Sequence, residues 1–168
     1  MFRPPMSNPA LKRPLRPLYA QHQATTYGGF LDPAWDRSFD IYPGTLMGRI
    51  GKEIFTPYTG GSSGPKKPFG LSALFVAPQL GVDECTATGT NLFTVWVGNA
   101  DAVLEILAPA FDNTATWTPG TDGDYQLLTA NAQGLLTPDG ADNSNAIAEL
   151  IDVESTDKIL IRMNRYTF

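Results

Sequence analysis

The sequence predicts a mainly β protein: a body of short strands behind an extended, proline-rich N-terminal arm. Three observations carry this. Sixteen glycines and fourteen prolines against 17% charged residues favour short strands and turns over long helices. The apolar residues of the body fall in brief runs bounded by turn-forming clusters, several of them alternating with period two. The first 38 residues have a chemistry of their own, dense in proline and basic at the start. A chain of 168 residues suits one domain with an appendage, here divided into an arm over 1–38 and a β-rich domain over 39–168.

In the arm, Pro4, Pro5, Pro9, Pro14 and Pro17 remove backbone donors and disfavour helix. Leu11, Leu15 and Leu18 have helical spacing, but Pro14 and Pro17 fall inside that window, so an extended conformation is expected. Tyr19, Tyr27, Phe30 and Trp35 add aromatic groups, with Gly28-Gly29 read as flexible backbone. A purely solvating tail would carry fewer large apolar side chains, and the arm reads as a segment that orders against a partner. The plain alternative is a disordered tail.

The body opens with Tyr42-Pro43-Gly44-Thr45-Leu46-Met47, a Pro-Gly turn running into an apolar strand. Ile54-Phe55-Thr56-Pro57-Tyr58 answers it, a polar loop follows to Lys67, and Pro68-Phe69-Gly70-Leu71 begins another strand. Leu92 to Val97 alternates, with Phe93, Val95 and Val97 on one face. Val103 to Leu107 fits helix or strand; Gly98-Asn99 before it and Pro109 after it favour strand. Ala146 to Val153 and Lys158 to Met163 close the chain, with Ile159, Ile161 and Met163 opposite Leu160 and Arg162. At an offset of 81 residues, Leu46-Met47 matches Leu127-Leu128, and Ile54-Phe55-Thr56-Pro57 matches Leu135-Leu136-Thr137-Pro138. Such a match reads either as a duplication or as a coincidence of short β-rich patterns.

The order Pro-Gly turn, Leu-Met strand, polar loop, Pro-x-Gly-Leu strand resembles the head decoration proteins of tailed bacteriophages over residues 39–76, with a weaker echo at 145–163. The resemblance implies a compact β-barrel or β-tulip-like body and a structural virion protein without enzymatic activity. It would bind the outer surface of an assembled capsid and stabilise it, often as a homotrimer, with the major capsid protein as partner. Such a protein is made in the host cytoplasm and resides on the capsid exterior. Within that reading the arm residues Leu11, Leu15, Arg16, Leu18, Tyr19, Tyr27 and Phe30 are the candidate capsid or subunit contacts, and Leu160 and Arg162 a candidate contact on the body.

The residues exclude several other classes. From Pro68 to Asp157 there are thirteen acids and no Lys or Arg, which disfavours nucleic acid and anionic membranes as partners. No apolar run approaches the roughly 20 residues of a bilayer span. His22 stands in the arm away from any carboxylate in sequence, and Cys85 follows Asp83-Glu84, whose charge disfavours a thiolate. Asp122-Gly123-Asp124 and Asp139-Gly140-Ala141-Asp142 lack the distal Glu of a calcium loop and read as turns. In the loop 60–67, Pro65 follows Gly64 where a phosphate loop needs Lys. Neither a cofactor nor a metal is expected. The alternative function is a carbohydrate- or surface-binding β module using Trp96, Trp117 and Tyr125 as stacking platforms.

Overall fold

The computed structural model describes residues 15–19, 25–60, 68–77, 82–83, 91–97, 102–121, 123–142 and 144–163. These form thirteen strands and no helix, so the body is all-β as expected. In chain order they are β1 (Leu15–Tyr19), β2 (Thr25–Leu31), β3 (Leu46–Gly51), β4 (Ile54–Pro57), β5 (Pro68–Ser72), β6 (Val76–Ala77) and β7 (Val82–Asp83). They continue with β8 (Leu92–Val97), β9 (Val103–Leu107), β10 (Leu127–Ala130), β11 (Leu136–Thr137), β12 (Ala148–Ser155) and β13 (Lys158–Met163).

Five strands close into a barrel in the order β2-β4-β3-β5-β8. Period-two alternation sends Met47, Phe55, Phe69, Phe93 and Val95 into its interior, where they meet Leu31. Tyr27 contributes edge-on ring contacts to Phe55 and Phe69 at 6.0 and 5.4 Å. The seam of the barrel is parallel: Phe30 and Leu31 of β2 register with Ile54 and Phe55 of β4. Gly29 makes this approach possible, because a Cβ there would meet the Glu53 carbonyl and the Phe55 ring.

A second sheet runs β1-β9-β13-β12-β10-β11 and curls round a larger core. Leu104 and Ile106 of β9, Ile159, Ile161 and Met163 of β13, and Leu128, Leu136 and Leu150 fill it. The barrel shares this core, since Leu46, Tyr58 and Leu71 belong to the same buried cluster and Trp96 packs against it. Each contributing barrel strand is therefore two-sided: Leu46 faces the second sheet while Met47 faces the barrel interior. The strand readings for 92–97 and 103–107 and the facing of Ile159, Ile161 and Met163 all hold.

The 81-residue repeat is present in the structure. Gly48 and Arg49 of β3 register with Thr56 and Phe55 of β4. With every number raised by 81, Thr129 and Ala130 of β10 register with Thr137 and Leu136 of β11. Between the paired strands, Glu53 (φ 62°) and its counterpart Gly134 (φ 72°) take the same left-handed turn conformation. β3 lies between β4 and β5 as β10 lies between β11 and β12, and the order β4-β3-β5-β8-β2 recurs as β11-β10-β12-β13-β9. Even the parallel seam has an echo in the single parallel bridge between Phe111 and Leu136. Shared strand order, shared register and a shared turn conformation favour duplication over coincidence.

Of the segment expected to form an arm, residues 25–31 are a full barrel strand. Leu31 is buried, Trp35 packs against the barrel core, and Trp35 and Phe39 meet edge-on at 5.5 Å. The reason is local. Proline is absent from 18 to 32, and Gly28-Gly29, read as flexible, is held by pairing with Thr94 and Phe93 of β8.

Candidate interaction surface

The anchors expected in the arm separate into two groups. Leu15, Arg16, Leu18 and Tyr19 lie in β1, while Tyr27 and Phe30 lie in β2; Leu11 is outside the described residues. β1 runs antiparallel to β9, with Leu15 opposite Ile106, Arg16 opposite Glu105, Pro17 opposite Leu104, and a register shift before Tyr19 reaches Val103. Leu15 packs against the main core. β1 is the last strand on its side of the sheet, so its outer edge pairs with no described strand.

Beside β1 lies a charged patch on the outward face of the second sheet. Glu105 is 4% exposed, and its carboxylate stands 3.6 Å from the Lys158 ammonium, which also meets Glu154 at 2.9 Å. The Glu154 hydrogen bond first, and the charge of Glu105 second, hold the Lys158 pKa above its ordinary value. The cross-strand Arg162–Glu149 pair closes at 2.7 Å, and the Arg162 guanidinium lies 5.1 Å from the centre of the Tyr125 ring. The Lys158–Glu154 and Arg162–Glu149 pairs are open to solvent, which screens them, so they mainly fix side-chain direction. Leu160 lies on the same outward row, between Lys158 and Arg162. It is 7% exposed and offers little surface as a contact, because an outward position in a strand is not open when neighbouring side chains cover it. Arg162 is half-exposed and remains accessible.

Tyr27 and Phe30 differ in the same way: Tyr27 is half-buried among the barrel rings, whereas Phe30 points out of the barrel and is exposed. Two further exposed apolar residues, Ile50 and Leu92, were not singled out from the sequence. Their signal lies in register between strands remote in sequence, since Phe30 pairs with Leu92 across β2 and β8.

The rings proposed as stacking platforms do not form one open face. Trp96 and Trp117 pack against the shared core, and Trp117 donates its indole N–H to the Asp112 carbonyl at 2.8 Å while meeting Phe111 edge-on at 5.3 Å. The Asp-Gly stretches are turns: Asp124 N–H donates to the Thr121 carbonyl and Ala141 N–H to the Pro138 carbonyl. Asp142 accepts hydrogen bonds from Ser144 and Asn145, and the Ser144 hydroxyl is the largest cause of its lowered pKa. Among the described residues no three His, Cys, Asp or Glu side chains come together as a metal-holding group. His22, Cys85, the loop 61–67, the Gly98-Asn99 turn and Asp122 lie outside the described residues.

A family model described as "Phage cement protein" matches residues 1–168, the whole chain. The chain belongs to that family. Curated proteins and solved structures give no match. Membership makes this cement-family chain a phage capsid-associated structural protein, and the resemblance noted over residues 39–76 extends to the full length.

Proposed function

We propose that the chain binds the outer surface of an assembled phage capsid and stabilises it, with its N-terminal segment contacting the major capsid protein or a neighbouring subunit. The full-length family match is the observation that carries this reading. The fold supports the mode of contact. β1 presents one outer edge of main-chain donors and acceptors, and an extended partner segment adds to such an edge through backbone hydrogen bonds. Arg3, Lys12, Arg13 and Arg16 supply positive charge near that edge in sequence, which makes binding salt-sensitive. Neither nucleic acid nor membrane is a partner, and no catalysis is involved. Copies assemble as trimers on the particle, where many weak contacts held by symmetry act together.

The test is a deletion of residues 1–24, which stops short of barrel strand β2. The truncated protein is expected to retain its β-sheet circular dichroism and a cooperative melt, yet fail to co-sediment with undecorated capsids. Co-sedimentation equal to that of the full chain rules out the N-terminal segment as the docking element.

A further inference from the structure

Three large apolar side chains stand exposed among the described residues: Phe30 at 43%, Ile50 at 48% and Leu92 at 51%. They come from β2, β3 and β8, yet the barrel registers bring them to one end. Leu92 pairs with Phe30 across β8 and β2, and Phe30 registers with Ile54 across β2 and β4. Ile54 in turn pairs with Gly51 of β3, and the register shift between Arg49 and Gly51 leaves Ile50 as the extra residue. Leu92, Phe30, Ile54 and Ile50 thus form one row across four of the five barrel strands. Scattered apolar exposure is ordinary, but concentration of all the large exposed side chains in one row marks a contact surface.

The charges around the row indicate the occupant. Over residues 101–163 the chain carries eleven acids against only Lys158 and Arg162, so copies meeting through the second sheet bring like charge together. Among the described residues beside the row in sequence the charges balance, Lys52 against Glu53 and Arg49, whose Nε donates to the Gly51 carbonyl, against Asp32. Copies can converge here without mutual repulsion, and each flank offers both signs to its neighbour. We infer that this end of the barrel is a self-association surface, the Leu92–Phe30–Ile54–Ile50 row of one copy packing against that of a second copy. Three half-exposed side chains are far less than the roughly 800 Å² per partner of a standard stable interface. The contact is therefore weak in dilute solution and strengthens where copies are held close together, as on a particle surface. The inference rests on the capsid-binding reading only for where that crowding occurs.

Photo-crosslinking identifies the occupant. The photoreactive residue p-benzoylphenylalanine replaces Phe30 in one variant and Lys52 in another, the second guarding against disturbance of the row itself. Each full-length variant is irradiated bound to capsids and free at about 0.5 mM, a concentration suited to weak association. A covalent dimer of the chain is expected from both variants. Its yield should fall at least about fivefold when Ile50→Ser and Leu92→Ser are added, consistent with loss of two partly buried apolar contacts. A product containing only the shell protein, no chain-to-chain product in either setting, or a yield indifferent to the two serines each overturns the inference. Co-sedimentation of the same samples reads capsid binding separately. A variant that decorates capsids without forming dimers leaves that reading standing, and dimers without decoration leave this one.

Discussion

The barrel and the curled sheet are two versions of one five-strand device, and they differ in whether it closes. In the first, β2 is seven residues long and its end registers with β4 at two positions, completing the barrel. In the second, the corresponding β9 is five residues long and stops at Leu107. Pro109, which has no N–H to donate, follows, and only the Phe111–Leu136 bridge returns to β11. The side of β9 left unfilled is where β1 pairs. The seat of the N-terminal strand is thus a position that the second copy of the device did not close for itself. Charge separates the halves as well: residues 25–97 hold six acids and five basic residues, residues 101–163 eleven and two.

The largest test of this comparison uses the counterparts Phe55 and Leu136, each fully buried in its own half. Phe55→Ala should cost about 3–5 kcal/mol and Leu136→Ala about 2–5 kcal/mol. Both variants should still unfold in a single transition, because Leu46, Tyr58 and Leu71 tie the barrel to the core of the sheet. Urea denaturation followed by circular dichroism and tryptophan fluorescence reads this, and midpoints that separate between probes show two independent units instead.

The barrel seam is tested by neighbouring glycines. Gly29→Ala should destabilise by about 1–3 kcal/mol, since the new methyl meets the Glu53 carbonyl and the Phe55 ring. Gly28→Ala, whose methyl meets nothing within 4 Å, should be close to neutral. Equal melting temperatures for the pair would show that the seam does not depend on the close approach of β2 and β4.

The smallest effect concerns the partial closure of the second sheet. Asp112 accepts hydrogen bonds from the Thr114 hydroxyl and N–H at 2.7 and 3.0 Å and from the Asn131 amide at 3.3 Å, while its own N–H donates to the Leu136 carbonyl. The Thr114 hydroxyl is the largest cause of its lowered pKa. A folded value below the unfolded one means that this stabilisation is complete above the ordinary carboxylate range and is lost as pH falls through the folded value. Asp112→Asn should cost about 0.5–1 kcal/mol at neutral pH and progressively less in acid. A melting-temperature difference from the parent that does not shrink on acidification removes Asp112 from this role.

The legible part of the fold was the part written in local pattern. β8 and β13 alternate with period two, β9 lies between turn signals, and the β3–β4 and β10–β11 hairpins repeat at a fixed offset. The illegible part depends on contacts distant in sequence. β2 was hidden because Gly28-Gly29 resembles flexible chain until the β4 backbone that needs Gly29 bare is placed beside it. The row Leu92–Phe30–Ile54–Ile50 draws on four strands, none of which shows a surface apolar stripe by itself. Leu160 illustrates the opposite limit: alternation correctly placed it opposite Ile159 and Ile161, but could not show that its own side is covered.

The closed barrel has a consequence for the order of folding. All five of its strands lie between residues 25 and 97, so it can be completed before the other five strands of the second sheet, β9 to β13, have all emerged from the ribosome. β1 is translated earlier still, yet its partner β9 begins only at Val103, and β9 in turn pairs with β13 at the far end of the chain. Throughout that interval β1 has no finished seat. A barrel with open edges would offer it a wrong one, since an unpaired strand adds readily to any exposed edge. Because β2 and β4 have already met, every barrel strand has both neighbours, and the waiting segment is left to pair with β9.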